Sequence, residues 1–130
     1  LVLASVHAGG QMIGVSRHRR FLSAAAGRLM RRALSVDART VSSFFRVYRA
    51  SVLRSGFAAH GDALVRERGF ACKAELLAKL AALGAVVEEV PVDLDGSRRQ
   101  GSSKMRLLPT LAGYGRLVAR QAVARGSASE

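Results

Sequence analysis

The chain is poor in acid. Of its 130 residues, 9 are Asp or Glu against 21 Lys or Arg, leaving a net charge of +12. That imbalance suits anionic partners: nucleic acid, nucleotide phosphates, phospholipid headgroups or a phosphorylated lipid. The bland alternative is a basic composition spread over a solvated surface. Cysteine occurs once, at Cys72, which excludes an internal disulfide and a cysteine-based zinc site. Among apolar neighbours, Cys72 reads as a buried, inert thiol. His7, His18 and His60 are far apart and lack the spacing of metal ligands. Aromatics make up only 5% of the chain and tryptophan is absent, which weighs against a nucleic-acid binder built on base stacking. No run of about 18 apolar residues is long enough to span a bilayer. LVLASV at the start is too short for a signal peptide and lacks a basic leader. The chain opens on Leu1 inside what reads as a strand, which suggests a piece of a longer protein.

What is present is enough for a core. Hydrophobic residues make up 49%, and the length suits one domain or part of a larger one. LVLASV (1–6) reads as a buried strand running into the glycine-rich loop HAGGQ. From Ser16 the spacing becomes helical. Leu22, Ala25, Leu29, Met30 and Ala33 recur on one side, with Arg20, Ser23, Arg28, Arg31 and Arg32 on the other. SVDART (35–40) reads as a polar break and SFFRVYRA (43–50) as a short strand. SVLRSGF suggests one or two helical turns, and AAHGDALVRERG a loop with some helix.

FACKAELLAKLAALG (70–84) is the clearest helix, with Leu76, Leu77, Leu80 and Leu83 on its apolar face and Gly84 as its stop. AVVEEVPVDL (85–94) follows as a strand, and Pro91 argues for an edge or a bulge. Helix, glycine, strand is the local grammar of an α/β protein. The last helix spans 107–124, with Pro109 near its first turn and Arg116 and Arg120 four apart on one side; a frayed tail covers 125–130.

Between strand and last helix lies LDGSRRQGSSKMRLLP (94–109). Arg98, Arg99, Gly101, Ser102, Ser103 and Lys104 concentrate phosphate-binding chemistry: planar arginine forks, a lysine point charge, hydroxyls, and a glycine that lets backbone approach. The stretch leaves the end of a strand, where open α/β sheets place ligands. A solvated charged loop is the competing account.

EVPVDLDGSRRQGSSKM resembles the closing segment of family 2 glycosyltransferases of the polyprenyl-phosphate, dolichol-phosphate mannose synthase-like group. Arg98, Gly101, Ser103 and Lys104 fall on that group's R-x-x-G-x-S-K stretch. SSFFRVYRASVL (42–53) is similar to its S-G-F-R-x-Y-R segment, with Phe44 in place of the glycine. LVLASVHAGGQMIGVSRHRRFLS is similar to its strand, Gly-Gly loop and helix start, with Arg19 and Ser23 on an R-x-x-x-S pair and Val6 where many members carry arginine.

The resemblance implies the C-terminal part of a GT-A-like fold, an α/β architecture with a mixed sheet flanked by helices. Residues 1–124 would be the acceptor-side half of the domain. The implied activity is transfer of a sugar from a nucleotide-diphosphate donor to a polyprenyl phosphate, at the inner face of a membrane, by a cytoplasmic, peripheral protein. It implies Arg98 and Lys104 as catalytic residues, and Arg19, Ser23, Arg99, Gly101 and Ser103 as phosphate-binding residues. A divalent metal, Mg or Mn, is expected of the whole family domain, held by an Asp-x-Asp motif that this sequence does not supply at the matching place. Asp93 and Asp95 have that spacing but sit beside the basic stretch. The partners implied are the nucleotide-sugar, the polyprenyl phosphate and an anionic membrane surface, rather than nucleic acid. The alternatives are a basic nucleic-acid- or anion-binding domain, and an inactive truncated remnant.

Other residues carry plainer expectations. Glu75 is a helix-surface or structural carboxylate. Tyr48 and Phe45 belong to the core. Arg46 and Arg49 lie on a solvated strand face. Arg116 and Arg120 form a basic helix face or touch anionic lipid.

Overall fold

The computed structural model describes residues 1–41, 43–98 and 107–126. The architecture is α/β, a small mixed sheet flanked by helices. Strand β1 (Val2–Ser5) is central, with β3 (Arg46–Val47) antiparallel on one side and β4 (Glu88–Pro91) parallel on the other. Pro91 therefore sits at the end of an edge strand, where its missing N–H costs no ladder bond. A second, two-stranded parallel pair joins β2 (Met12–Ile13) to β5 (Leu94–Asp95). The helices are α1 (Arg17–Leu34), α2 (Ala50–His60), α3 (Ala71–Ala82) and α4 (Leu107–Gly126). Short 3₁₀ turns follow α2 at Gly61–Leu64 and β5 at Gly96–Arg98. α1 packs on α4, α4 on α3 and α3 on α2.

The core gathers Leu3 of β1, Leu34 of α1, Leu77 and Ala78 of α3, and Leu117 of α4. Val36, Ala38 and Val41 join them, so the stretch expected as a polar break instead feeds the core. The cause is local. Ser35 adopts φ 50 and ends α1, with Val36 N–H bonded to Arg31 O at 3.1 Å. This is the Schellman arrangement that usually employs glycine. Beyond it burial alternates, with Val36 and Ala38 buried and Asp37 and Arg39 exposed. Glu89 of β4 holds that stretch by accepting from Arg39 N–H at 2.7 Å and Thr40 N–H at 2.9 Å.

α3 ends as expected, with Gly84 at φ 83 and Ala85 N–H on Leu80 O at 3.1 Å. Leu77 and Leu80 are fully buried, whereas Leu83 is exposed. α2 runs through three turns rather than one or two. In α1 the expected apolar face is only half right: Met30 and Ala33 are half-buried, but Ala25 and Leu29 are exposed. The wall that α1 offers to the core comes from its last turns, ending at Leu34. α4 continues two residues past the expected end; 127–130 lie outside the described residues.

Candidate functional site

The site is set by the β2–β5 pair. The two strands are parallel, with Met12 opposite Leu94 and Ile13 opposite Asp95, so both chains leave it at the same end. From β2 the chain passes through Gly14, Val15 and Ser16 into the first turn of α1. From β5 it enters the turn that ends on Arg98. The two exits pack closely: a Cβ on Gly14 would stand 3.0 Å from Ser97 N, and one on Gly96 would stand 3.1 Å from Val15 Cγ2. Asp95 shapes the turn by accepting from Ser97 N–H at 3.0 Å and from the Ser97 hydroxyl. Asp93 accepts from Gln11 N–H at 2.8 Å, tying the glycine loop to the β4–β5 connection. Gly10 is required there, because any Cβ would meet Val92 O at 2.0 Å.

An open cavity of about 700 Å³ lies between the glycine loop and α1. It is lined by Val6, His7, Gly10, Gln11, Met12, Ile13 and Gly14 from β1 to β2, and by Arg20, Phe21 and Ala24 from α1. Arg20 donates through Nη2 to Met12 O, which holds its guanidinium against the cavity wall. The first turn of α1 is basic throughout, with Arg17, His18, Arg19 and Arg20 and no acid. Cations at the positive end of a helix dipole each cost about 0.3–1 kcal/mol at low salt. A bound anion would offset that cost.

Arg98 is exposed at the end of its turn and outside the cavity lining, on the same end of the β2–β5 pair as the basic first turn. Ser23 is exposed on α1 and outside the cavity lining. Arg19 falls in the first turn of α1, with its side chain outside the described residues, as are Arg99, Gly101, Ser103 and Lys104 entirely. The chain thus brings the stem of the basic stretch to the α1 helix start. Sequence reasoning missed Arg20 as a lining residue. The available signal was its place soon after the glycine loop, which only the meeting of loop and helix turns into a cavity.

No protein-family model, curated protein or solved structure matches this chain. Among the described residues, no cluster of three or more His, Cys, Asp or Glu could hold a metal ion. Asp93 and Asp95 each accept a backbone N–H through Oδ1.

Several expectations away from the cavity are corrected. Arg46 is not a solvated strand residue: it donates to Val41 O and Ser43 O, each at 2.6 Å, and to Lys73 O at 2.7 Å. Phe45 is not core but exposed. For Glu75 the structural alternative holds and the helix-surface one does not: it is fully buried and accepts from Lys79 Nζ and from the backbone of Arg66 and Glu67. Arg116 and Arg120 are not a bare basic face, since both pair with Glu67. Cys72 is half-buried and donates its thiol to Gly69 O at 3.0 Å.

Proposed function

We propose that this chain is the acceptor-side half of a GT-A-like glycosyltransferase that moves a sugar from a nucleotide-diphosphate donor to a polyprenyl phosphate. The observation that carries the proposal is the convergence of two basic exits, the first turn of α1 and the turn ending on Arg98, at one end of the β2–β5 pair. The motif resemblance supplies the reaction class. In that reaction a phosphate oxygen of the acceptor attacks the sugar's anomeric carbon. The new C–O bond forms as the bond to the nucleoside diphosphate breaks, and the diphosphate leaves with the electron pair. The nucleophile is already an anion and needs little from a general base. The protein's task is to hold two phosphorylated reactants together and offset their charge. Arg98 and the basic α1 start are suited to that, with Arg19, Ser23, Arg99, Gly101, Ser103 and Lys104 as the further residues of the proposal. No step is assigned to a metal.

Among the described residues no helix is long and apolar enough to cross a membrane. A peripheral position at an anionic membrane surface goes with the proposed lipid acceptor and the net charge of +12. The same net charge is the one feature that favours a nucleic-acid- or anion-binding domain, or an inactive remnant with a basic surface, as the second reading.

The test uses membranes containing the protein at its full natural length, labelled nucleotide-sugars and added polyprenyl phosphate. Sugar is expected in the lipid fraction, and Arg98→Ala is expected to reduce it by at least about tenfold, the loss of one charge-assisted phosphate contact. No lipid-linked product with any donor would remove the lipid acceptor. Steeply salt-dependent binding to random DNA in its place would favour the second reading.

A further inference from the structure

α4 is attached differently from the rest of the chain. α3 buries Ala71, Ala74, Glu75, Leu77, Ala78 and Leu80. On α4, among the described side chains, Leu117 is the one apolar group fully buried. Its outer surface is apolar yet uncovered: Leu108 (79% exposed), Leu111 and Val123 face solvent. Beside Leu117 and the partly buried Tyr114 and Val118, which pack against the core, α4 is gripped by charge. Glu67, in the loop before α3, has a side chain only 4% exposed. It accepts from Arg116 Nη2 at 3.0 Å and from Arg120 Nη2. Arg120 also lies 3.7 Å from Glu75 Oε1, which Lys79 Nζ reaches at 2.7 Å. Glu75 in turn fixes the loop, accepting from Arg66 N–H at 2.8 Å and Glu67 N–H at 2.7 Å. Gly113 allows the close fit, since a Cβ there would stand 2.9 Å from Ala71 Cβ and 3.3 Å from Glu67 Oε2.

We propose that α4 is a separately opening strap, latched to the fold by the Glu67 carboxylate through Arg116 and Arg120, and that Glu67 is its positioning residue. The physical ground is the contrast in what opening exposes. Undocking α4 uncovers Leu117 with the partly buried Tyr114 and Val118, and hydrates two arginines that are already 60% and 39% exposed. Opening α3 would uncover the centre of the core. Segments with few buried apolar contacts open at lower free energy than the global transition. α4 follows Arg98 and the basic stretch in the chain, so its docking decides where the chain must stand by Leu107. The inference is independent of the proposed transferase activity.

The test is native-state hydrogen exchange on the full chain, read at amides of α4 (residues 113–123) against those of β1 and α3. Raising salt from about 0.05 to 1 M shortens the Debye length from more than 10 Å to about 3 Å. Exchange in α4 is expected to accelerate at least about tenfold, while β1 and α3 change by less than about threefold. Glu67→Gln at low salt is expected to do the same, and Arg120→Gln to reproduce it from the other side. A common acceleration of α4, β1 and α3 would overturn the proposal, because α4 would then belong to the global cooperative unit. So would an α4 insensitive to both salt and Glu67. If Glu67→Gln fails to fold, the proposal is overturned for that residue, and the salt series on the unmodified chain still decides whether α4 opens alone.

Discussion

The two faces of the three-stranded sheet invert the usual pattern. Register puts Arg46, Leu3 and Glu89 in one row and Val47, Val2 and Glu88 in the next. The first row faces the helices. Leu3 is 0% exposed, Arg46 donates to three carbonyls and Glu89 caps two backbone amides. On the opposite face Phe45 and Val47 are 73% and 69% exposed, Val90 is exposed, and Val2 and Ala4 are half-buried. Arg46 and Glu89 of the edge strands are thus built into the covered side, while Phe45, Val47 and Val90 stand on the open side beside the exposed Glu88. What makes a strand side chain structural here is having something to reach: a loop carbonyl, a backbone N–H or a helix. Sheets with parallel pairs are usually covered on both faces, so the open side is an apolar patch of the kind that associates.

The largest test of that contrast is a paired truncation. Leu3→Ala should cost roughly 3–5 kcal/mol, through lost transfer energy and a cavity, while Val2→Ala should cost less than about 1 kcal/mol. Urea unfolding midpoints measure both, and equal shifts would erase the distinction between the faces. Next comes Arg46→Met, which leaves the carbonyls of Val41, Ser43 and Lys73 without their donor. A loss of about 2–3 kcal/mol is expected, against under about 0.5 kcal/mol for the exposed Arg49→Met.

Acid should act through the covered carboxylates. The Arg116 guanidinium hydrogen bond is the main influence holding Glu67 below the ordinary glutamate range, with Arg120 adding to it against the opposing effect of burial. For Glu75 burial is the largest influence and pushes up, but donation from Lys79 and from the Glu67 and Arg66 backbone together outweigh it, so it too is lowered. Lowered folded-state values mean stability that is present above the ordinary glutamate range and lost as pH falls through the folded values. Thermal melts across that acid range should show the loss, and Glu75→Gln should flatten it while lowering stability at neutral pH. The smallest effect is expected on the open face. Phe45→Ser with Val47→Thr should change stability by no more than about 1 kcal/mol. The same pair should reduce concentration-dependent association in sedimentation, and unchanged association would mean that this patch does not drive it.

Much of the fold was legible because its signals are local. β1, α3, β4 and α4 were placed from apolar runs, periodicity and turn residues. The candidate site was legible in part: the basic α1 start and Arg98 stood out by composition, whereas the cavity lined by His7 and Arg20 depends on a loop meeting a helix. Glu67 gave no signal, because its partners lie 49 and 53 residues away.

Two helix ends mark the boundary between what the sequence determined alone and what needed the tertiary structure. Gly84 announced the end of α3, since glycine adopts positive φ without strain. Ser35 makes the same turn unannounced, because serine bears a steric cost there that tertiary packing of Val36 and Ala38 must hold in place. By itself the sequence determined which segments are helix or strand, wherever bonds within four residues and side-chain alternation suffice. The tertiary structure decided which strand face is covered, which carboxylates are buried, and which arginines are structural, since each of those depends on partners distant in the chain.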